Sequence, residues 1–142
     1  PEIRVHALEG RHVELFDAAS LEAFFGTQWK VLPDSNRMGF RLGGPALARA
    51  VPGDILSEAT CLGTVQVPAD GAPIVLMADH QTTGGYAKIA EVASADIPRL
   101  AQAMPGSLVR FGRVEHAIAD ALRGVQEHHL ASLKRTLAWH FR

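Results

Sequence analysis

Alternating apolar and polar side chains predict a series of short β-strands over the first two thirds of the chain. Residues 3–8 alternate with a period of two, which is the pattern of a half-buried strand. The same pattern, or a short apolar run, predicts further strands at 29–32, 38–42, 62–67, 73–78, 86–92 and 108–111. Turn-forming residues at 68–71 favour a hairpin between 62–67 and 73–78, and the second of these strands should be buried on both faces.

Apolar residues at helical spacing predict two short helices between these strands. The first follows a cap at Asp17 or Ser20 and ends at Gly26. The second is expected at about 96–104, where a proline lies in the first turn. Its inner side should carry Leu100, Ala101 and Met104.

The last third of the chain is almost free of proline and glycine and predicts one amphipathic helix at about 115–139. A bend or loosening of this helix is expected at Gly124. Together the elements favour a mainly β fold with helical additions, either a barrel or a sandwich. No repeat or linker interrupts the pattern, so residues 1–142 are expected to form a single domain.

Composition narrows the function classes without selecting one. The 14 Lys and Arg residues nearly balance the 15 Asp and Glu residues, which removes the electrostatic basis for general nucleic-acid or membrane-surface binding. No apolar run approaches the ~18 residues that cross a bilayer. A lone cysteine, Cys61, excludes an intramolecular disulfide and is interpreted as a packing residue; it suits a reducing, cytoplasmic location. The seven histidines lack metal-ligand spacing, so no metal site is expected.

The segment 79–88 concentrates reactive side chains after an apolar strand. Asp79 can take or hold a proton, and Lys88 can neutralise a carboxylate or a phosphate. Between them lie groups suited to orienting a polar substrate: Gln81, Thr82, Thr83, Gly84, Gly85 and Tyr86. A polar hairpin loop whose side chains bond their own backbone is the alternative interpretation.

A second candidate is Asn36 beside Arg37. A planar guanidinium next to an amide is suited to bind a carboxylate or phosphate. The alternative is an Asx-type turn at 34–36, with Arg37 and Arg41 on the solvated face of a strand.

Several segments, in their order along the chain, resemble a known protein family. They are 35–42, 63–68, 73–79, 81–86 and 105–111, and they span about residues 3–122. The Gln-Thr-Thr-Gly-Gly-Tyr block at 81–86 is the most specific of them. On these residues the chain resembles the C-terminal half of allophanate hydrolase subunit 2, a biotin-dependent carboxyltransferase-type family also named KipA or the C subunit of 5-oxoprolinase.

This resemblance implies a cyclophilin-like β-barrel that forms the second lobe of a longer family member. It also implies a KipI-type partner (the B subunit of 5-oxoprolinase) and, in the 5-oxoprolinase assembly, a LamB/YcsF-type protein as the A subunit. That assembly uses ATP to open the ring of 5-oxoproline, whereas the present chain has no Gly-rich phosphate loop and is not expected to bind ATP alone. Self-association through an apolar face is a further expectation.

The resulting hypothesis is an enzyme subunit that acts on an amide or lactam together with its partners. Asp79 and Lys88 are its candidate catalytic residues, and Asn36, Arg37 and the groups at 81–86 are its candidate substrate contacts. Two alternatives remain open. One is a non-catalytic module that regulates a KipI-type kinase inhibitor, and the other is the carboxyltransferase lobe of a urea carboxylase or allophanate hydrolase system.

Overall fold

The computed structural model describes residues 2–53 and 55–141. Within those residues the strands are β1 Glu2–Glu9, β2 Trp29–Val31, β3 Gly39–Gly43, β4 Glu58–Ala59, β5 Thr64–Val67, β6 Ile74–Leu76, β7 Thr83–Gly84, β8 Ala87–Val92 and β9 Leu108–Arg113. The α-helices are α1 Ala18–Gly26, α2 Ile97–Leu100 and α3 His116–His140, and short 3₁₀ turns lie at Val13–Leu15 and Ser94–Asp96.

Seven of the described strands close into a barrel in the order β1-β8-β5-β6-β3-β2-β9. β1 completes the barrel by pairing antiparallel with β8 and parallel with β9. The predicted hairpin is present as the antiparallel pair β5–β6. The structure thus confirms a mainly β fold with a C-terminal helix, and of the two architectures left open it is the barrel.

The core consists of the inward side chains of the barrel strands, and α1 packs against it by contributing Phe24 to the same buried cluster. Phe24 of α1 stacks on Phe111 of β9, with ring centroids 4.7 Å apart, and Trp29 donates a hydrogen bond from Nε1 to the carbonyl of Phe24 at 2.9 Å. The helix begins at the Asp17 cap, whose carboxylate accepts a hydrogen bond from the amide of Ser20. The predicted cap is therefore Asp17 rather than Ser20.

Two packing predictions are wrong. Leu100 is fully buried as expected, but α2 ends there after a single turn, and the residues that follow lose the helical phase. Ala101 is consequently exposed and Met104 is 71% exposed, while Ala103 is buried instead. Cys61 is likewise exposed rather than a packing residue.

The C-terminal helix α3 runs through Gly124 without interruption, so the expected loosening there is absent. No residue of α3 is buried, and apolar side chains such as Val125 and Leu133 remain more than half exposed. It touches the barrel at its beginning and near the 3₁₀ turn Ser94–Asp96, where Gln126 donates a hydrogen bond to the carbonyl of Ala95 at 3.3 Å. α3 is therefore an appendage of the barrel and not part of its core.

A small second sheet, formed by β4 and β7, positions the candidate site. Glu58 pairs with Gly84, and Ala59 pairs with Thr83. Both strands have two residues each and were not predicted from the sequence. We call the β4–β7 pair the flap.

Candidate functional site

A cleft of about 660 Å³ lies between the flap and the barrel strands β3, β5 and β6. Six of the ten predicted site residues line it: Asn36, Gln81, Thr83, Gly84, Gly85 and Tyr86. Its volume lies within the range of small-molecule sites in proteins. The predicted groups at 81–86 are thus largely brought together around one cavity, although their roles in binding stay predictions.

Residues that the sequence analysis did not select complete the lining. Met38, Ile74 and Leu76 add an apolar wall, and Arg41 contributes a guanidinium. Further polar groups come from Ser57, Thr60 and Gln66. The cleft therefore combines an apolar wall with amides and hydroxyls, an arrangement suited to a small polar ligand.

Asn36 lines the cleft while its side chain also shapes the backbone. Its Oδ1 accepts a hydrogen bond from the amide of Met38 at 2.8 Å, and the backbones of Asn36 and Gly39 bond each other in both directions. An Asx-type turn is therefore present, but it spans 36–38 and not 34–36 as in the alternative interpretation. The turn and the cleft position are compatible, because the turn occupies the amide oxygen and not the nitrogen.

Two hydrogen bonds from Thr60 hold the loop that precedes β7. Its backbone amide donates to the carbonyl of Thr82 at 3.0 Å, and its hydroxyl donates to the carbonyl of Gln81. These bonds fix the backbone at 81–82. Thr82 itself does not contribute to the cleft lining.

Arg37 and Asp79 pair with each other and lie outside the cleft lining. Arg37 Nε donates to Asp79 Oδ2 at 2.7 Å and Nη2 donates to Oδ1 at 3.3 Å, while both side chains remain more than half exposed. This hydrogen bond from Arg37 holds the pKa of Asp79 below its usual range. Asp79 is thus an ionised carboxylate whose charge is already compensated, and its role as proton acceptor stays a prediction.

Lys88 is also absent from the cleft lining, because its side chain is buried under the flap. It is only 3% exposed, and its Nζ lies 3.4 Å from Glu58 Oε1. The same carboxylate contacts His12 Nε2 at 2.6 Å and Arg11 Nε at 3.0 Å. Sequence reasoning missed this charged cluster, because a glutamate at such a position is typical of a loop or cap.

The cluster keeps Glu58 ionised. Burial favours the neutral acid, but the charges of Lys88, Arg11 and His12 outweigh that effect and hold the pKa of Glu58 below its usual value. Since Glu58 belongs to β4, the ion pairs attach the flap to β8 and to the 11–12 segment. Lys88 therefore supports the wall of the cleft and compensates a protein carboxylate.

Gln66 carries a buried amide group at the edge of the cleft that can bond a ligand. It is 6% exposed, yet within the described part of the chain its Nε2 has no hydrogen-bond partner. A buried amide that lacks a partner costs about 1–3 kcal/mol, and such groups are rare in native structures. The signal in the sequence was a glutamine between two valines of a strand, which alternation alone assigns to solvent.

Neither a metal centre nor a membrane span emerges from residues 2–53 and 55–141. They contain no group of three or more histidine, cysteine or acidic side chains arranged to hold a metal ion. None of their helices is long and apolar enough to cross a bilayer.

The barrel, its flap and the cleft between them define a known class of domain. Residues 1–113 match the family model described as carboxyltransferase domain, subdomain A and B, and the chain belongs to that family. The chain is 44% identical over 124 residues to the C subunit of 5-oxoprolinase from Escherichia coli (strain K12), covering 87% of this chain and 39% of that protein. It is 40% identical over 131 residues to the corresponding 5-oxoprolinase protein of Haemophilus influenzae (strain Rd), covering 92% and 42%.

A solved relative supports the same assignment. The urea amidolyase of Kluyveromyces lactis superposes with a TM-score of 0.84 at 28% identity, over 89% of this chain and 8% of that one. The resemblance inferred from the sequence is thereby confirmed. The chain spans less than half the length of the curated 5-oxoprolinase proteins that it matches, and α3 lies beyond the residues matched by the family model.

Proposed function

We propose that this chain is the ligand-binding lobe of a 5-oxoprolinase-type C subunit, which takes part in the ATP-dependent opening of a lactam. The observation that carries the proposal is the lined cleft in a chain 44% identical to such a protein. A lactam has an apolar ring edge and an amide edge. The cleft offers an apolar wall to the first and amide and hydroxyl groups to the second.

The proposed contribution of this lobe is binding and orientation. Arg41, which lies 3.1 Å from Asp34 Oδ2, is positioned to exchange that exposed partner for a carboxylate on the ligand. Gln81 and Thr83 orient the amide. Asp79 acts as the polar anchor or proton acceptor, with Arg37 as its partner, once another protein of the assembly completes the site.

The proposed partners follow from the same family. They are a KipI-type protein and a LamB/YcsF-type protein, the B and A subunits of a cytoplasmic 5-oxoprolinase complex. ATP is used by the assembled complex, and we assign none of its contacts to this chain.

The test is ATP-dependent release of glutamate from 5-oxoproline. The KipI-type and LamB/YcsF-type partners are assayed alone, with this chain, and with a full-length relative that carries both lobes. Turnover that depends on this chain supports the proposal. If the full-length relative is active and this chain is not, the site needs the second lobe of the relative as well, which contradicts turnover by this lobe with the two partners. Tight binding to the partners with no turnover in either mixture favours the regulatory module instead.

A carboxyltransferase lobe is the second candidate, favoured by the TM-score of 0.84 to the urea amidolyase of K. lactis. Such a lobe transfers a carboxylate from carboxybiotin to urea. Incubation of the chain with a carboxybiotinylated carrier and urea distinguishes the two. Loss of carboxylate from the carrier that depends on urea supports the second candidate, and its absence alongside glutamate release supports the first.

A further inference from the structure

Gln66 lies where the barrel wall, the flap and the cleft meet. It occupies the middle of β5, between Val65 and Val67, whose side chains are buried in the core. Side chains alternate along a strand, so Gln66 points to the opposite face, where the flap covers it. The same side chain lines the cleft, so it is both buried and adjacent to the space for a ligand.

No structural role within the described residues accounts for this amide. Lys88 lies directly across the β5–β8 pair, but an ammonium group only donates hydrogen bonds and cannot accept one from Nε2. Its Nζ forms an ion pair with Glu58 at 3.4 Å. The buried Nε2 of Gln66 has no acceptor within residues 2–53 and 55–141. Buried amides in native proteins are nearly always bonded, which indicates that the partner of this one is supplied by something that binds.

Gly84 of the flap leaves the room that this amide needs. A Cβ built on Gly84 would lie 2.6 Å from Gln66 Nε2, closer than such atoms approach in proteins. Gly84 has no positive φ, so its backbone does not itself require glycine. Glycine at this position therefore leaves the space that the Gln66 amide occupies.

We propose that Gln66 recognises the amide edge of the lactam, an inference that rests on the proposed function. In a lactam ring the peptide bond is cis, so the N–H and the C=O lie on the same edge. A primary amide offers an NH₂ donor and a carbonyl acceptor side by side, and can form two hydrogen bonds with that edge. The terminal amide torsion of glutamine is soft, so its edge can turn to the ligand without moving the strand.

This pairing selects the closed ring over the opened product. Hydrolysis breaks the ring C–N bond: water adds to the carbonyl carbon, which becomes a carboxylate, and the nitrogen leaves as an ammonium group. The carboxylate only accepts hydrogen bonds, and the ring no longer holds the nitrogen beside it, so the side-by-side donor and acceptor that pair with Gln66 are lost. Gln66 is thus a specificity-determining contact that binds substrate more tightly than product. It takes no proton in the reaction.

The test compares three forms of the chain in the assembled complex: wild type, Gln66→Met and Gly84→Ala. Methionine matches the length of glutamine without its polar groups, and Gly84→Ala displaces the amide while leaving it in the sequence. Loss of two neutral hydrogen bonds predicts a rise in KM for 5-oxoproline of about 10- to 100-fold, with a smaller change in kcat. Gln102→Met changes an exposed glutamine outside the cleft and should leave both parameters unchanged.

An N-methylated lactam provides the specific readout, because it lacks the N–H that pairs with Gln66. The wild type should discriminate against it about tenfold or more, and Gln66→Met should lose that discrimination. A folded Gln66→Met complex with unchanged KM and unchanged discrimination overturns the inference. If the Tm of Gln66→Met lies far below that of wild type, the same two measurements, KM and discrimination, are made on Gly84→Ala and decide the question. A wild-type complex without turnover instead overturns the proposed function, and this inference with it.

Discussion

The ion pair between Arg37 and Asp79 sets the protonation state of the most conspicuous acid near the cleft. Arg37 donates two hydrogen bonds to this carboxylate and holds its pKa below the usual range. Replacing Arg37 by Met removes that stabilisation of the charged form. We expect the pKa of Asp79 to rise in the variant, which titration of the Asp79 carboxyl by NMR measures.

Arg41→Met serves as the control variant, because Arg41 pairs with Asp34 and not with Asp79. The titration of Asp79 should be the same in wild type and in Arg41→Met. An Asp79 titration that does not move in Arg37→Met would show that the guanidinium fails to control this acid in solution. The assignment of Asp79 as a proton acceptor can then be tested separately by Asp79→Asn in the glutamate-release assay.

Glu91 is a second acid whose pKa is shifted by its surroundings, but upward, whereas that of Asp79 is shifted downward. Burial raises its pKa, and this outweighs the hydrogen bond that Thr64 Oγ1 donates at 2.7 Å and the charge of Lys88. A raised pKa in the folded state means that stability falls as the pH rises through that pKa. Glu91→Gln keeps an acceptor for Thr64 and removes the charge, so it should raise Tm at pH 7.

The pH dependence makes this prediction specific. Well below the ordinary value of 4.5, Glu91 is protonated in both the folded and the unfolded chain, and the advantage of the glutamine should disappear. The difference in Tm between Glu91→Gln and wild type is measured by thermal unfolding from about pH 3 to about pH 8. This pH range brackets the titration of a carboxyl group. Glu127→Gln, on the exposed surface of α3, is the matched control with no expected change. A Glu91→Gln protein less stable than wild type at pH 7 would contradict the argument.

Among the elements, the flap depends on one carboxylate. Glu58 of β4 contacts Lys88, His12 and Arg11, and Lys88 is buried beneath it. Glu58→Gln leaves the Lys88 ammonium buried with its nearest counter-charge removed, whereas Lys88→Met removes the buried charge and keeps its volume. Because an uncompensated buried charge is the costlier defect, we expect Glu58→Gln to lower Tm more than Lys88→Met, by roughly 5 °C or more.

Hydrogen exchange locates the effect. The amide of Thr60 bonds to the carbonyl of Thr82 beside the flap and should exchange faster in Glu58→Gln, while amides of the barrel strand β9 should not change. Acid should act in the same way on the wild type. The pKa of Glu58 is lowered in the folded state, so its contribution is present above the unfolded value and lost as the pH falls. Equal Tm values for the two variants would contradict the proposed asymmetry.

The sequence predicted the barrel strands well, because side-chain alternation is a local signal that a half-buried strand imposes on its own residues. It missed the flap, since β4 and β7 are two residues long and pair across a wide sequence separation. That omission also concealed the environment of two site residues. From the strand pattern alone, Gln66 and Lys88 are expected to face solvent. In the structure the flap buries both side chains, and a buried amide and a buried ammonium need partners.

At the scale of the whole molecule, α3 is the element that adds no residue to the buried core. None of its own residues is buried, and it lies beyond the family match at 1–113. A chain that ends at Glu115 should therefore unfold within about 4 °C of the full chain, in the range expected for changes that leave the core intact. Thermal unfolding followed by circular dichroism checks this, with the loss of 25 helical residues visible in the far-ultraviolet signal.

The same pair of proteins tests the self-association expected from the sequence. Side chains such as Leu133 and Leu137 leave α3 with an apolar stripe in contact with solvent, and burying it against a second copy would remove that surface from water. If α3 mediates association, light scattering should give a multiple of 15.3 kDa for the full chain and a single copy for the shortened one. A monomeric full chain at high concentration would reject self-association. An oligomer that survives removal of α3 would locate the interface on the barrel instead.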